Sequence, residues 1–284
     1  MNRPSHRNSL FKEKYGPWAV VTGASSGIGR EIAVQLAEAG IHLILVARRF
    51  EILIGLVEDL RKAHGIDAKP LALDLGRESA TTELASATEG IDVGLFVAAA
   101  GFGSSGRFIE SPIERELDML SVNCRVVLAQ AHHFGRRFAE RGRGGLILMG
   151  SIVGFQGTPM ASHYAATKAY IQSFAEALHS ELAPSGVDVL SSAPGPTNSE
   201  FADRAGMKMG KALDPAEVAR QTLRALGTRS TVLPGVLTKF LTYSLALLPR
   251  WARVRVMGKV MSGMTRQEGD NPETVPTKTL AEPS

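Results

Sequence analysis

Short apolar runs alternate along the chain with longer stretches in which apolar residues recur every three or four positions. The short runs predict about seven strands, in the segments WAVVTG, HLILVAR, AKPLALDL, VGLFVAAAG, GLILMGS, VDVLSSAPG and STVLPG. Most of these runs are apolar without alternation, which is typical of strands buried on both faces of a parallel sheet. The longer stretches predict helices over residues 27–39, 51–63, 77–88, 112–141, 160–182 and 215–226. Repeated strand–helix units of this length predict an α/β fold, a doubly wound parallel sheet with helices on both faces.

Two prolines mark the expected starts of helices. Pro112 and Pro215 stand where helical patterns begin, as first-turn prolines do. Asp214 precedes Pro215 and is a suitable N-cap. Because ligands of such sheets bind at the carboxyl ends of the strands, we expect the functional residues there.

A single domain is expected over residues 15–262. Residues 1–14 form a polar lead-in without the apolar core of a signal peptide. Residues 263–284 are polar and lack aromatic residues, which predicts a disordered tail. No internal repeat or low-complexity linker divides the domain.

The segment 237–262 is the most apolar part of the chain and is expected to be a helical extension. Lys239 and Pro249 interrupt it, so a transmembrane helix is not expected. Two interpretations stay open. The segment is either a flap packed on the core or an amphipathic surface that contacts a membrane or a partner, because Trp251 lies among basic residues (Arg250, Arg253, Arg255 and Lys259).

Composition narrows the possible functions. The chain has 284 residues, 44% apolar and 21% charged, and a net charge of +4. The mild charge without basic runs argues against nucleic acid as a partner. Cys124 is the only cysteine, which excludes an intrachain disulfide and a zinc site of several cysteines. His132 and His133 show no metal-ligand spacing, so no metal is expected. The single cysteine fits a reducing compartment, so a cytoplasmic location is expected, with peripheral membrane contact as the alternative.

A glycine-rich turn joins the first strand to the first long helix of the domain. The segment TGASSGIG contains Gly23, Gly27 and Gly29, and glycine allows the backbone to turn tightly and approach an anion. The helix that follows presents free N–H groups to a pyrophosphate, and Ser25 and Ser26 add hydroxyl donors. The strand–turn–helix context favours a dinucleotide site over an unoccupied turn.

The end of the second strand indicates which nucleotide is bound. NAD sites carry an acidic residue there, but this chain has Ala47 followed by Arg48 and Arg49. A guanidinium binds a 2′-phosphate in bidentate fashion, so NADP(H) is favoured and Arg48 is the expected ligand. The alternative is that the two arginines are solvated ends of the strand, which is more plausible for Arg49 than for Arg48.

Tyr164 and Lys168 share a helix face, and Ser151 ends a strand at the same edge of the sheet. An ammonium beside the phenol is expected to lower the tyrosine pKa and create a proton donor or acceptor. The serine hydroxyl would hold the substrate oxygen beside it.

These motifs together resemble the short-chain dehydrogenase/reductase family, of classical type, over residues 17–236. TGASSGIG resembles the nucleotide motif of that family, YAATK its Y-x-x-x-K motif, and Ser151 its catalytic serine, 13 positions before Tyr164. The resemblance implies a Rossmann fold and adds Asn123, which holds a water linked to the lysine, to the catalytic set of Ser151, Tyr164 and Lys168. With the residues above, it implies a cofactor site of Gly23, Ser25, Ser26, Gly27, Ile28, Gly29, Arg48, Asp74, Leu75, Gly101, Tyr164, Lys168, Pro194, Gly195 and Thr197.

One position departs from the family. Ala98 stands where the family has an asparagine that ties the sheet together, so a structural hydrogen bond is expected to be missing.

The expected function is that of an NADP(H)-dependent oxidoreductase that interconverts a carbonyl and a secondary alcohol, with a hydrophobic substrate and a homodimeric or homotetrameric assembly. Phe102, Phe155 and Phe201 are candidates for an apolar substrate wall, with plain packing as the alternative. Two other functions stay open, a non-catalytic nucleotide sensor or scaffold and a non-redox enzyme such as an epimerase or dehydratase.

Overall fold

The computed structural model describes residues 6–201, 205–206 and 212–264, with side chains from residue 10 onwards. A parallel sheet of seven strands lies at its centre, in the order β3-β2-β1-β4-β5-β6-β7. The strands are β1 Trp18–Thr22, β2 His42–Ala47, β3 Ala68–Ala72, β4 Val93–Ala98, β5 Gly144–Met149, β6 Val187–Ser192 and β7 Thr231–Val232. The doubly wound parallel sheet expected from the apolar runs is confirmed.

Helices cover both faces of the sheet. They are α1 His6–Tyr15, α2 Gly27–Glu38, α3 Phe50–His64, α4 Ala80–Ala87, α5 Ile113–Leu120, α6 Val126–Arg141, α7 Ser162–Leu182, α8 Pro215–Ala225, α9 Val236–Ala246 and α10 Arg250–Met264. One core contains residues of α2, α3 and α8, and the other contains residues of α4, α6 and α7. Burial of the strands from both sides explains why their sequences are apolar without alternation.

The expected helix 112–141 is not uniform. A π-helical turn, Ser121–Arg125, separates α5 from α6, and Pro112 lies just before the first turn instead of within it. A π turn inserts one extra residue and is frequent at functional sites, which sequence periodicity does not reveal. Other boundaries shift by a few residues, since α4 is shorter than the predicted 77–88. The N-cap role of Asp214 is confirmed, because its Oδ1 accepts a hydrogen bond from the Ala216 amide at 3.0 Å.

The N-terminal lead-in contains a helix that docks on the domain. Phe11 packs against the core, and Tyr15 at the end of α1 is buried. The Tyr15 hydroxyl donates a hydrogen bond to Oδ2 of Asp188 on β6 at 2.5 Å. The later part of α1 is therefore packed on the domain through Phe11 and Tyr15, whereas the sequence predicted a polar lead-in over residues 1–14.

The segment after β7 folds into α9 and α10, and α10 extends to residue 264. The expected tail 263–284 thus begins inside α10, and residues 265–284 lie outside the described part. Within the described residues, no helix combines the length and the apolar character that crossing a bilayer requires.

Candidate active site

A cavity of about 1000 Å³ opens at the carboxyl ends of the strands and extends to α9 and α10. It brings together nearly all of the site residues predicted from the sequence. The predicted residues that line it are Gly23, Ser25, Ser26, Gly27, Ile28, Gly29, Arg48, Asp74, Leu75, Gly101, Ser151, Tyr164, Lys168, Pro194, Gly195 and Thr197. Asn123 does not line the cavity and lies behind it.

The glycine turn between β1 and α2 fits a dinucleotide pyrophosphate. Gly23 and Gly27 have φ angles of 68° and 56°, which side chains rarely adopt. A methyl group on Gly23 would lie 2.7 Å from the Ala100 amide nitrogen, and one on Gly29 would lie 2.5 Å from the Gly23 carbonyl oxygen. Ser26, the N-cap of α2, makes no side-chain hydrogen bond to the helix, so the first amides of α2 remain available to an anion.

The two arginines after β2 take different positions. Arg48 is exposed at the cavity edge. Arg49 forms an ion pair with Glu200 at 2.9 Å and donates a hydrogen bond to the Ser25 hydroxyl at 3.2 Å. Arg49 is partly exposed, and its two contacts link the glycine turn to the segment after β6. That contact joins residues distant in sequence, so periodicity gave no signal of it.

Ser151, Tyr164 and Lys168 meet where β5 ends and α7 begins. Ser151 follows β5 in an extended conformation, and its hydroxyl accepts a hydrogen bond from the Val153 amide at 3.4 Å. Tyr164 and Lys168 are both buried, with 7% of their surface exposed. The Lys168 ammonium lies 5.8 Å from the centre of the Tyr164 ring and donates a hydrogen bond to the Met149 carbonyl at 2.8 Å.

Burial is the main cause of the shifted pKa values of Tyr164 and Lys168. It raises the pKa of the Tyr164 phenol above its usual value, while the hydrogen bond with Ser151 opposes the rise. Burial also lowers the pKa of Lys168 to about 8, and Cys124 opposes that change. The expected lowering of the tyrosine pKa by the lysine is therefore not found, because the loss of hydration at the phenol exceeds any stabilisation of the phenolate.

Asn123 lies in the π turn and supports the loop after β4. Its Oδ1 accepts a hydrogen bond from the Phe102 amide at 3.1 Å, and its Nδ2 donates to the Phe102 carbonyl at 2.8 Å. Nδ2 also donates to the hydroxyl of Thr167 on α7 at 3.1 Å. The amide thus joins this loop to the helix that carries Tyr164 and Lys168. Water retention by Asn123 remains a prediction.

A network around Thr22 ties β1 to β4 in this chain, which has Ala98 in place of the family asparagine. The Thr22 hydroxyl donates to the Val97 carbonyl at 3.2 Å and accepts hydrogen bonds from the amides of Ala99 and Ala100 at 3.1 and 3.2 Å. The junction of the two strands therefore retains a side-chain hydrogen-bond centre without an asparagine.

An apolar wall surrounds the phenol. The ring of Phe201 lies 5.4 Å from that of Tyr164, and Phe102 also lines the cavity, whereas Phe155 does not.

Sequence analysis missed the methionines, since nothing local connects them to the site. Four methionines line the cavity. One is Met149 of β5, and the other three, Met257, Met261 and Met264, come from α10. Long unbranched thioether side chains fill irregular space, so they form an adaptable wall. The polar lining residues that the sequence analysis also missed are Arg77, Arg115, Asp118, Gln156, Ser199, Glu200, Thr242 and Ser244.

Known proteins resemble this chain over most of its length. A family model for the short chain dehydrogenase matches residues 17–209. A 7beta-hydroxysteroid dehydrogenase from Collinsella aerofaciens is 32% identical over 238 residues, covering 79% of this chain and 88% of the relative. A very-long-chain 3-oxoacyl-CoA reductase from Podospora anserina is 37% identical over 181 residues, which are 62% of this chain and 53% of that protein.

Solved structures agree with these matches. A 7beta-hydroxysteroid dehydrogenase structure superposes with a TM-score of 0.81 at 29% identity, covering 87% of this chain and 98% of the other. A short-chain dehydrogenase from Sphingobium yanoikuyae in complex with NADPH gives a TM-score of 0.74 at 27% identity, covering 93% and 99%. The chain therefore belongs to the short-chain dehydrogenase family and is an oxidoreductase that interconverts a carbonyl and an alcohol with a nicotinamide nucleotide, NAD or NADP.

Proposed function

We propose that the protein is an NADP(H)-dependent oxidoreductase that acts on a bulky, apolar ketone or the corresponding secondary alcohol. The observation that carries the proposal is the convergence of three features on one cavity. The buried Tyr164 with Ser151 beside it, the glycine turn and the apolar wall all line the same space.

The chemistry divides between the nucleotide and the protein. A bound nicotinamide supplies or accepts the hydride. Tyr164, whose raised pKa keeps the phenol protonated at neutral pH, donates the proton to the carbonyl oxygen during reduction. Ser151 orients that oxygen, and its hydroxyl stabilises the developing negative charge. Lys168 would hold the nicotinamide ribose, and Asn123 supports the loop after β4 through its hydrogen bonds to Phe102.

The preference for NADP(H) is supported by the charge at the end of β2. No carboxylate follows β2 where an NAD site has one, and two guanidinium groups line the cavity there. Because Arg49 is already paired with Glu200, we assign the 2′-phosphate to the exposed Arg48. A similar solved short-chain dehydrogenase is in complex with NADPH, which supports the proposed preference for NADP(H).

The substrate class follows from the wall of the cavity. Phenylalanine and methionine side chains around Tyr164 favour a large apolar molecule over a small polar one. Two similar enzymes are named for a hydroxysteroid and for a very-long-chain 3-oxoacyl-CoA, both of which carry large apolar parts. A ketosteroid and a long 3-oxoacyl thioester are therefore the first substrates to test, with a short polar ketone as the comparison.

Turnover of Tyr164→Phe tests the reaction. The substitution removes the hydroxyl and keeps the ring against Phe201, so NADPH binding should be retained while turnover falls at least about a hundredfold. Fluorescence titration measures the binding, and oxidation of NADPH with the ketone panel measures the rate. Turnover close to that of the unmodified enzyme would refute the role of Tyr164.

The matched pair Arg48→Ala and Arg49→Ala tests the cofactor assignment. Arg48→Ala should weaken NADPH binding by about tenfold or more and leave NADH binding nearly unchanged, since only NADPH has the 2′-phosphate. Arg49→Ala should weaken both nucleotides, because it releases the glycine turn from Glu200. Equal binding of NADPH and NADH by the unmodified protein would contradict the proposed preference.

A further inference from the structure

The helix α9 has two apolar faces that point in opposite directions. Leu241 and Leu245 line the cavity, and Thr238 on the same side is buried against Gly195. Through these residues α9 packs on the domain. The opposite face of α9 is also apolar, and it has no packing role in the described part of the fold.

The outer face of α9 is a stripe of exposed apolar residues. Val236, Phe240, Tyr243 and Leu247 expose 83%, 67%, 66% and 88% of their surface. Their spacing of four, three and four residues places them within an arc of about 60° on the helix surface. Four large apolar side chains on one line differ from the scattered single exposures that are normal on protein surfaces.

The helix α10 continues this surface with aromatic and basic side chains. Trp251 is 64% exposed, and the Arg255 guanidinium lies 5.2 Å from the centre of its ring. Arg255 and Lys259 are one turn apart on the exposed side of α10. Arg253 has a different task, because it donates hydrogen bonds to the Ala246 and Leu248 carbonyls at the end of α9.

The charged residues of α9, α10 and the loop between them are all basic. The sequence between Glu217 and Glu268 contains no acidic residue, whereas α9, α10 and the loop between them contain five basic ones. A helix with an apolar stripe, an adjacent tryptophan and flanking cations has the composition of helices that lie in a membrane interface.

We propose that the outer face of α9 and the adjoining Trp251 edge of α10 bind the surface of a lipid bilayer that contains anionic lipids. The stripe enters the boundary between headgroups and acyl chains, Trp251 lies at headgroup level, and Arg255 and Lys259 pair with anionic headgroups. The same two helices line the cavity on their inner sides, so a bilayer-dissolved apolar molecule would reach the enzyme next to the site.

Two other occupants fit this surface less well. A second copy of the chain docked symmetrically on the same face would bring the cations of both copies together, and α9 and α10 supply no carboxylate to pair them. The segment 265–284 is polar and contains only Val275 and Leu280 as large apolar residues, too few to cover the four positions of the stripe. Anionic lipid satisfies the apolar stripe and the positive charge together.

Vesicle flotation of the full-length protein tests the proposal without requiring turnover, so its result is independent of the proposed reaction. The vesicles consist of phosphatidylcholine alone or with a quarter of phosphatidylglycerol. The unmodified protein should partition more strongly into the anionic vesicles, and raised salt should weaken the binding.

Two pairs of substitutions and a matched control locate the surface. Phe240→Ser/Leu247→Ser should lower partitioning by at least about tenfold, because it removes two large apolar side chains from the membrane boundary. Arg255→Glu/Lys259→Glu should abolish the preference for anionic vesicles and keeps the stripe intact. Ile52→Ser/Ile54→Ser removes two exposed apolar residues of α3, at the opposite end of the sheet, and should leave partitioning unchanged.

Three outcomes would overturn the proposal. The unmodified protein could fail to float with either vesicle. Phe240→Ser/Leu247→Ser could float as well as the α3 control while melting at the same temperature. The stripe substitution could convert a dimer to a monomer in light scattering, with no vesicle binding by the unmodified protein, which would assign the surface to a second copy of the chain.

Discussion

The hydroxyl of Thr22 offers a sharp test of how this chain holds the carboxyl edge of its sheet together. It contacts the Val97 carbonyl and the amides of Ala99 and Ala100, so it fixes the start of the loop that borders the cavity. Thr22→Val removes the hydroxyl and keeps the shape of the side chain. Thr22→Ser is the matched control, because it keeps the hydroxyl and removes the methyl group.

The expected magnitude follows from the three hydrogen bonds. Thr22→Val leaves two amide donors without their partner, and an unsatisfied buried donor costs about 1–3 kcal/mol. Ala99 and Ala100 are half-buried, so water recovers part of that cost and we expect a total loss of about 2–3 kcal/mol. Thr22→Ser loses one buried methyl group and should cost only about 1 kcal/mol.

Urea unfolding at neutral pH measures the free energy of unfolding of the three proteins, and NADPH titration measures whether the loop still binds the nucleotide. Thr22→Val should show the larger loss of stability and weaker NADPH binding, since the loop next to Ala100 borders the cavity. A valine variant as stable as the serine variant would refute the reasoning. It would mean that the loop amides find water or another acceptor when the hydroxyl is absent.

Three further predictions concern protonation, packing and the N-terminal helix. Burial lowers the pKa of Lys168 from 10.5 to about 8, so the folded state binds this proton less tightly than the unfolded state and the free energy of unfolding rises with pH above about 8. Between pH 8 and 9.5 the unmodified protein should therefore gain up to about 2 kcal/mol of stability relative to Lys168→Met, measured by urea unfolding. A stability difference that does not change with pH would contradict this. Gly101→Ala places a methyl group 2.9 Å from Oδ1 of Asn123, so it should cost about 1–3 kcal/mol and weaken NADPH binding, and unchanged titrations would show that the asparagine can move aside. Tyr15→Phe removes the hydrogen bond to Asp188 and should cost about 1 kcal/mol in thermal unfolding; an unchanged melting temperature would show that the docking of α1 depends on apolar contacts alone.

The parts of the fold and site that the sequence predicts are those encoded by short local patterns. The glycine turn is one such pattern, because Gly23 and Gly27 adopt φ angles that few other residues tolerate. The four-residue spacing of Tyr164 and Lys168 is another, since it fixes their common face on any helix. The parallel sheet follows because strands buried on both faces show long apolar runs.

The parts that the sequence does not predict depend on contacts between distant segments. The ion pair between Arg49 and Glu200 joins positions about 150 residues apart, and the methionines of α10 reach the cavity only because the C-terminal helices fold back over it. The π turn at Asn123 covers five residues, which is too short a stretch for hydrophobic periodicity to identify. Contacts of this kind are set by tertiary packing, and no local pattern specifies them.

The pKa values of the site residues also depend on the folded structure and not on the local sequence alone. The sequence identifies the tyrosine and the lysine, but a pKa depends on hydration, which only the folded structure determines. In the structure, burial shifts both groups towards their neutral forms, because it penalises phenolate and ammonium alike. Since the raised pKa keeps the Tyr164 phenol protonated, the phenol can donate its proton to a carbonyl oxygen at neutral pH. The hydrogen bond of Lys168 to the Met149 carbonyl holds its ammonium at the end of β5, next to Ser151 in sequence. The interaction with Ser151 favours the phenolate, so it counteracts part of the rise in the tyrosine pKa that burial causes.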